Sequence, residues 1–350
     1  MTMIAGLRTR GQTRAVVSAA LFAGLTLGAG TAAADEINIY TSRHYQTDEA
    51  FYEGFTKETG IKVNRVEGKG NALLERMKSE GANSPADIFI TVDAGNLWRA
   101  AEAGVFQETN SALLNERVPA NLRHPKGKWY GFSQRARVIY YNKSKVEAGE
   151  IENYEDLADA KWRGRICIRS SSNIYNLSLL SSIIEAKGEA AAQDWAKAVV
   201  ANFARDPQGG DTDQIRAVAA GECDLAVGNS YYFARLMRSA KDKDKKVVEA
   251  VGVVFPNQDN RGTHVNISGA GVLKSATNTD QAIRFLEYMT SEAAQRYFAD
   301  GNNEYPVVAG VAPNSTLASL GTFKQDPVGV SAYGENQPLA QKIFDRAGWK

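Results

Sequence analysis

Residues 37–66 read INIYTSRHYQTDEAFYEGFTKETGIKVNRV, and this stretch decides the class of fold. A short apolar run at 37–40 is followed by Thr47 and two acidic residues, a pattern that favours the start of a helix. Gly60 favours the end of that helix, and a second β-prone run follows at 61–66. The stretch therefore predicts a strand, a helix and a second strand, the unit from which parallel sheets are built.

The same alternation continues along the chain. A helix is predicted over 71–80, a strand over 88–92, and a further helix that ends at Gly104. A similar series of strands and helices recurs between 165 and 239, and it begins with a strand predicted over 165–169. We therefore expect an α/β protein with two similar lobes, whose sheets are rich in parallel strands and flanked by helices.

Two β-prone segments, 129–142 and 262–273, are predicted to cross between the lobes as hinge strands. A chain that crosses over and returns gives a two-lobed clamshell with a cleft. The expected lobes are residues 35–131 plus about 267–312, and about 139–262. The segment 313–350 is expected to be helical, and the sequence does not assign it to a lobe.

Composition excludes several classes of protein. The chain has 350 residues, 43% of them hydrophobic and 23% charged, as in an ordinary soluble protein of about two domains. A formal net charge of +1 gives no basic footprint for nucleic acid. Three His and two Cys are too few for the usual zinc site.

The N-terminal residues 1–34 have the pattern of a secretory signal peptide. They contain three Arg and no acid, then an apolar run rich in Gly and Ala, and they end in Ala32-Ala33-Ala34. We expect cleavage after Ala34. The apolar run is too short and too weak for a membrane span, and no later segment is apolar enough to cross a bilayer.

The cysteines, Cys167 and Cys223, would enter an oxidising compartment after export. They can form an intramolecular disulfide, or they can remain two separate buried thiols, since Cys is a common core residue. The sequence alone leaves both arrangements open.

Aromatic hydroxyl groups recur just after the predicted strands. Ligands of parallel sheets bind beyond the carboxyl ends of the strands, and the residues found there are His44, Tyr45, Tyr175, Tyr231 and Tyr232. Several phenols and one imidazole would suit a hard, highly charged cation such as Fe(III), which would displace their protons. The alternative is that these tyrosines only line or pack the cleft.

Arginines near these positions would compensate the negative charge of phenolates. Arg235 lies one helical turn after Tyr231, and Arg135 lies in the first crossing segment, so both are candidate donors to phenolate oxygens. Arg137 shares a face of that strand with Arg135. Arg137, with Ser170, Ser171 and Ser172, could instead bind a small anion, although the serines also suit a helix cap.

The sequence contains no familiar catalytic motif, such as a nucleophile elbow, a phosphate-binding loop or a zinc-protease helix. We therefore expect a binding protein rather than an enzyme. The alternatives are a binding protein for a small anion and a secreted enzyme with an unrecognised carboxylate site.

Six stretches carry a resemblance to a known family. They are YTSRHYQTD (40–48), KSEGANSPADIFITVD (78–93), GFSQRARVIYYNK (131–143), IRSSSNIYN (168–176), GNSYYFARL (228–236) and FPNQDNRGTHVNISGAGV (255–272). Together the chain resembles, over essentially all of 35–350, the periplasmic ferric-iron-binding (Fbp-type) proteins of ABC transporters. It is most similar to their FutA-like branch.

The resemblance implies a monomeric periplasmic protein with a two-lobed type II solute-binding fold. It implies Fe(III), or alternatively Fe(II), as the transported ligand, and an inner-membrane ABC permease with its ATPase as partners. Matched motif to motif, the expected ligands are Tyr45, Tyr175, Tyr231 and Tyr232, with His44 as a fifth. Arg135 and Arg235 match positions near the metal, and the cysteine pair is not part of the binding motif.

Overall fold

Helices and strands alternate along most of the chain. The computed structural model describes residues 35–43 and 46–350. The predicted signal peptide at 1–34 and the candidate ligands His44 and Tyr45 lie outside the described residues. The described strands are β1 Glu36–Thr41, β2 Lys62–Glu67, β3 Ile88–Val92, β4 Tyr130–Asn142, β5 Ile166–Cys167, β6 Leu225–Asn229, β7 Val251–Val254, β8 Val265–Val272 and β9 Tyr305–Pro306.

The α-helices fill the connections between these strands. In chain order they are α1 Glu49–Thr59, α2 Gly70–Glu80, α3 Ala94–Glu102, α4 Ala112–Arg117, α5 Ile174–Lys187, α6 Glu189–Ala201, α7 Asp211–Ala220, α8 Ser230–Met237, α9 Asp242–Ala250, α10 Thr279–Met289, α11 Glu292–Asn302, α12 Ser315–Ala318 and α13 Ser331–Ala347. None of the described helices is both long and apolar enough to cross a membrane.

The strands form one mixed sheet in the order β2-β1-β3-β8-β4-β6-β5, with β7 and β9 also paired to β4. The pairs β1–β2, β1–β3 and β5–β6 are parallel, as the βαβ pattern predicts. Strand β8 lies between β3 and β4 and is antiparallel to both. The carboxyl ends of β5 and β6 therefore meet at one edge, where α5 and α8 begin.

Strands β4 and β8 are the two predicted crossing segments. The first part of β4, up to Ala136, pairs with β8, whereas residues from Arg137 onward pair with β6 and β7. One continuous strand thus contributes backbone hydrogen bonds to both halves of the sheet. All but one of its residues are buried, as expected for a strand covered on both faces.

The boundaries of α1 follow the sequence prediction at its end but not at its start. Gly60 ends α1 in the left-handed conformation, at φ 76°, as predicted. Thr47, the predicted cap of α1, lies instead in a short 3-10 turn, Gln46–Asp48, and Asp48 takes the N-cap position. Its carboxylate does not cap the helix because it accepts hydrogen bonds from Arg43 at 3.0 Å and Asn302 at 2.7 Å.

Three hydrophobic clusters occupy the interior. The first surrounds β1, β3 and β8 and includes side chains of α1, α3 and α10. The second and third lie on the two sides of β4 and β6, the second against α5 and α6 and the third against α7 and α8. The last helix, α13, packs against α5 and α6 and also against α3, so it contacts elements from both halves.

A disulfide joins Cys167, at the end of β5, to Cys223, just after α7, with a Cα–Cα distance of 5.8 Å. The strand predicted over 165–169 is only two residues long. Its pairing with β6 stops at Cys167, opposite Ala226, and the chain then turns toward α5.

Candidate functional site

Three tyrosines from two neighbouring helices meet beyond the carboxyl ends of β5 and β6. Tyr175 is in the first turn of α5, and Tyr231 and Tyr232 are in the first turn of α8. The hydroxyl oxygens of Tyr175 and Tyr231 are 3.5 Å apart, and the ring centroids of Tyr231 and Tyr232 are 4.2 Å apart. The structure therefore brings together three of the four predicted tyrosine ligands.

The helix starts explain this convergence. The side chain of Asn173 caps α5 by accepting a hydrogen bond from the backbone N–H of Asn176. Helix α8 follows β6 without a loop, because Asn229 is still extended and Ser230 is already helical. Since β5 and β6 are adjacent and parallel, the first turns of both helices lie at the same edge of the sheet.

Accessibility differs within the cluster. Tyr231 is buried, with 1% of its surface exposed, whereas Tyr175 and Tyr232 are partly exposed. An ion at the cluster would thus contact one side chain that is fixed by packing and two that reach the solvent. His44 and Tyr45, the expected ligands from the other half, belong to the part of the chain that the structure does not describe.

Four arginines surround the three rings. The distances from guanidinium carbon to ring centroid are 6.0 Å for Arg135 to Tyr231, 5.3 Å for Arg235 to Tyr231, 5.8 Å for Arg137 to Tyr175 and 5.9 Å for Arg169 to Tyr175. Their positive charges would offset negative charge that develops on the phenol oxygens in this poorly solvated place.

Sequence reasoning missed Arg169 and its acidic partner Asp211. The buried carboxylate of Asp211 pairs with Arg137 at 3.3 Å and with Arg169 at 3.1 Å, and it also accepts the backbone N–H of Asn229. Asp211 therefore fixes two of the four arginines. The position of Arg169, directly before Ser170, was a usable signal, whereas Asp211 lies in a different helix and gave none.

Other tyrosines nearby are structural. Burial raises the pKa of Tyr140 and of Tyr154 well above the ordinary value of 10.0. Each hydroxyl donates a hydrogen bond to a backbone carbonyl, that of Tyr140 to Asn229 at 2.8 Å and that of Tyr154 to Arg137. These side chains behave as the packing alternative predicts, unlike the three whose hydroxyls converge.

The candidate anion-binding residues are not all in one place. Ser170 and Ser172, with their hydroxyl oxygens 3.1 Å apart, line a cleft of about 1110 Å³ whose walls also include Lys69, Arg99 and Arg169. Ser171 is buried, and its N–H donates to the carbonyl of Lys350. Arg137 is buried beside Asp211 and does not line this cleft.

No group of three or more His, Cys, Asp or Glu side chains in the described residues is arranged to hold a metal ion. The three converging tyrosines offer phenol oxygens as donors. Such a set suits a hard trivalent cation better than zinc or calcium.

Comparison with known proteins gives a consistent picture. The family described as bacterial extracellular solute-binding protein matches residues 83–320. The chain is 55% identical to iron uptake protein A1 of Synechocystis over 90% of this chain and 88% of that protein.

Two solved structures are also close. One, from Trichodesmium, is described as FutA (IdiA) in complex with iron and citrate ligands; it is 60% identical, with a TM-score of 0.88, over 90% of this chain and all of that one. The other is the ferric binding protein from Campylobacter jejuni, 44% identical with a TM-score of 0.84, over 90% of this chain and all of that one.

Proposed function

We propose, from the premise that this chain belongs to the bacterial extracellular solute-binding protein family, that it captures ferric iron in the periplasm and delivers it to an ABC-type permease. Family membership confirms the predicted α/β fold of the type II solute-binding class. The relatives are named for iron uptake or ferric iron binding and not for a reaction.

The convergence of Tyr175, Tyr231 and Tyr232 inside a ring of arginines carries the proposal. The full ligand set is Tyr45, Tyr175, Tyr231 and Tyr232, with His44 as a fifth donor. Binding of Fe(III) releases the phenol protons, and the arginines offset the resulting negative charge. Arg135 and Arg235 flank Tyr231 and are the candidates to donate hydrogen bonds to phenolate oxygens.

The two expected lobes supply the mechanism of capture. Residues 35–131 with about 267–312 form one lobe and about 139–262 the other, a division supported by the separate hydrophobic clusters. Closure about β4 and β8 brings Tyr45 of the first lobe to the three tyrosines of the second. The permease favours the open form, since only a difference in affinity between the two forms can shift their equilibrium.

The remaining parts of the proposal follow from the sequence. Residues 1–34 direct export and are removed after Ala34. The mature protein acts as a monomer with an inner-membrane permease and its ATPase. Fe(III) is the transported form, and reduction to Fe(II) would weaken its bonds to phenolate.

A visible spectrum tests the function. The purified mature protein, mixed with ferric citrate, is expected to show a phenolate-to-iron charge-transfer band and about one iron per chain by metal analysis. Tyr231→Phe should weaken or abolish the band. Tyr297→Phe, a change on α11 far along the chain from the cluster, is the matched control and should leave it intact. A wild-type protein without band or bound iron would overturn the proposal.

The cleft lined by Ser170, Ser172 and Arg169 favours one second candidate, a binding protein for a small anion. Such a protein would bind citrate in the absence of iron and show no visible band. Calorimetry with citrate alone, beside the ferric citrate titration, separates the two functions. Dithionite added to the iron-loaded protein then reports which oxidation state is retained.

A further inference from the structure

Glu304 is a buried acid that the proposed binding mechanism does not use. It has 1% of its surface exposed and lies between α11 and β9, directly before the strand residues that pair with β4. A buried carboxylate is costly unless charged and polar groups surround it, so its partners show why the fold retains it.

The side-chain partners of Glu304 come from two separate segments, the residue Arg43 after β1 and the strand β4. Its Oε2 accepts hydrogen bonds from Arg43 Nη1 at 3.0 Å and from Ser133 Oγ at 2.7 Å, and its Oε1 accepts one from Arg135 Nη2 at 2.9 Å. Burial raises the pKa of Glu304, and the two guanidiniums outweigh this effect, so the pKa lies below its ordinary value. The carboxylate is therefore ionised.

Ser268 on β8 joins the same two arginines. Its hydroxyl oxygen accepts from Arg43 Nη1 at 2.6 Å and from Arg135 Nη2 at 2.7 Å. In each arginine a single nitrogen, Nη1 of Arg43 and Nη2 of Arg135, donates to both the Glu304 carboxylate and the Ser268 hydroxyl. These charge-assisted hydrogen bonds hold the ends of the two side chains next to each other.

Arg43 directly precedes His44 and Tyr45, the expected ligands of the first lobe. Its guanidinium also binds both carboxylate oxygens of Asp48, at 3.0 and 3.2 Å, and Asp48 accepts from Asn302 at 2.7 Å. The chain is therefore anchored just before and just after residues 44–45. Arg43 binds Glu304 directly, and Asn302, the partner of Asp48, lies two residues before Glu304 in the sequence.

Arg135, the other partner of Glu304, faces the second half of the proposed site. Its guanidinium carbon is 6.0 Å from the centroid of the Tyr231 ring. Glu304 thus contacts, through one carboxylate, the residue that leads into one set of ligands and the arginine beside the other set. Asp48 and Glu304 balance the charges of Arg43 and Arg135.

We propose that Glu304 is a positioning residue for the iron site: its carboxylate fixes Arg43, the residue before the expected ligands His44 and Tyr45, and Arg135, which lies beside Tyr231. This inference rests on the proposed function and adds to it a residue that touches no iron. Residues that orient metal ligands from outside the coordination sphere commonly change metal affinity by about 10–100-fold when they are replaced.

The test compares iron release from three iron-loaded variants. Glu304→Gln removes the charge at nearly constant volume. It is expected to speed iron transfer to excess EDTA by about tenfold or more and to shift the charge-transfer band. Ser268→Ala keeps both charges and removes only the shared hydroxyl, so it should change both quantities in the same direction by less.

Asp326→Asn is the matched control. Asp326 is also fully buried and binds an arginine, Arg261, at 2.7 Å, in a different part of the fold. This variant should lose stability in the apo form, as Glu304→Gln does, while its band and release rate stay those of the wild type. If the iron-release rates of the three variants vary only with the stability of their apo forms, the inference is overturned.

The outcomes separate the two proposals. If the wild type has the band but Glu304→Gln and Ser268→Ala release iron at the wild-type rate, the positioning role is wrong and the iron-binding function stands. If the wild type has no band, both fail. If Glu304→Gln does not fold, the release rate of Ser268→Ala decides.

Discussion

The hydroxyl of Ser178 lies 2.8 Å from one carboxylate oxygen of Asp93 and 3.0 Å from the other, so a single donor serves both oxygens of a buried acid. Asp93 caps α3 with a positive φ of 74°, and Ser178 lies on α5, one turn after Tyr175. The contact joins the two expected lobes beside β8, whose Asn266 donates to the same carboxylate at 2.8 Å.

Ser178→Ala is expected to lower the free energy of unfolding by about 1–3 kcal/mol, since it removes a donor from a buried carboxylate. Burial raises the pKa of Asp93, and the Ser178 hydroxyl opposes that rise. Loss of the hydroxyl raises the pKa further, so the folded protein holds its proton to higher pH. The destabilisation should therefore grow as the pH rises above the ordinary aspartate pKa of 3.8.

Urea unfolding at several pH values measures this effect. Ser182→Ala on the same helix is the control, because the buried Ser182 hydroxyl donates to the Leu179 carbonyl and accepts from Arg261 at 3.4 Å, rather than donating to a carboxylate. It should cost less and show no such pH dependence. Equal losses in the two variants at every pH would contradict the role of the Asp93 contact.

The buried ring of His264 should make the stability of the protein depend on pH just below neutrality. The ring is fully buried, and neither ring nitrogen has a hydrogen-bond partner within residues 35–43 and 46–350. The ring centroid is 4.6 Å from that of Tyr333. Burial, and then the charges of Arg261 and Arg137, lower its pKa well below the ordinary 6.5. At mildly acidic pH, His264 therefore binds a proton in the unfolded chain but stays neutral in the folded protein.

Stability should consequently fall as the pH drops below about 6.5, by up to about 1.4 kcal/mol per pH unit for this group. His264→Phe replaces the ring with one that cannot titrate and should flatten the slope between about pH 6.5 and about pH 5.5. Some slope remains because burial also lowers the pKa of His124. An unchanged slope in His264→Phe would show that the ring does not control this range.

Reduction of the disulfide should destabilise the protein by about 2–4 kcal/mol, because Cys167 and Cys223 close a loop over a sequence separation of 56. Thermal unfolding with and without dithiothreitol measures the loss. The double variant Cys167→Ser/Cys223→Ser is the control and should be insensitive to the reductant. A wild-type midpoint that does not move on reduction would count against a stabilising role.

Gly269 on β8 has no room for a side chain. A methyl group there would lie 2.6 Å from the backbone carbonyl oxygen of Tyr130 on β4 and 2.6 Å from Leu97. Gly269→Ala should therefore cost about 1–3 kcal/mol through overpacking at the paired hinge strands. Gly329→Ala, where a methyl group meets nothing within 4 Å, should be near neutral. Similar unfolding midpoints for the two variants would refute this account of β8.

The bounds of several strands and helices could be predicted from local sequence patterns. The strand β3 begins and ends where the sequence predicts, and α2 and β4 differ from their predicted bounds by one residue at the start. These elements have continuous apolar runs or clear glycine stops, so local propensity and tertiary packing agree. The convergence of the three tyrosines was also predicted from sequence, because each lies in the first turn of the helix that comes after a strand.

The rest depended on contacts between distant positions. Glu304 binds Arg43 across 261 positions of sequence, and no spacing rule reports such a pair. Asp48 is a residue type and lies at a position that favour helix capping, but its carboxylate accepts hydrogen bonds from Arg43 and Asn302 instead. The two-residue strand β5 was overestimated because Ile168 is buried, yet its backbone has already left β6.

Strand β4 also limits how this protein can be divided. Its first half is hydrogen-bonded to β8 and its second half to β6 and β7, within a single unbroken run from Tyr130 to Asn142. If the chain were divided within this strand, one of the two fragments would lose the β4 residues with which its other strands pair. We therefore expect that neither of the two predicted lobes folds when it is expressed without the other.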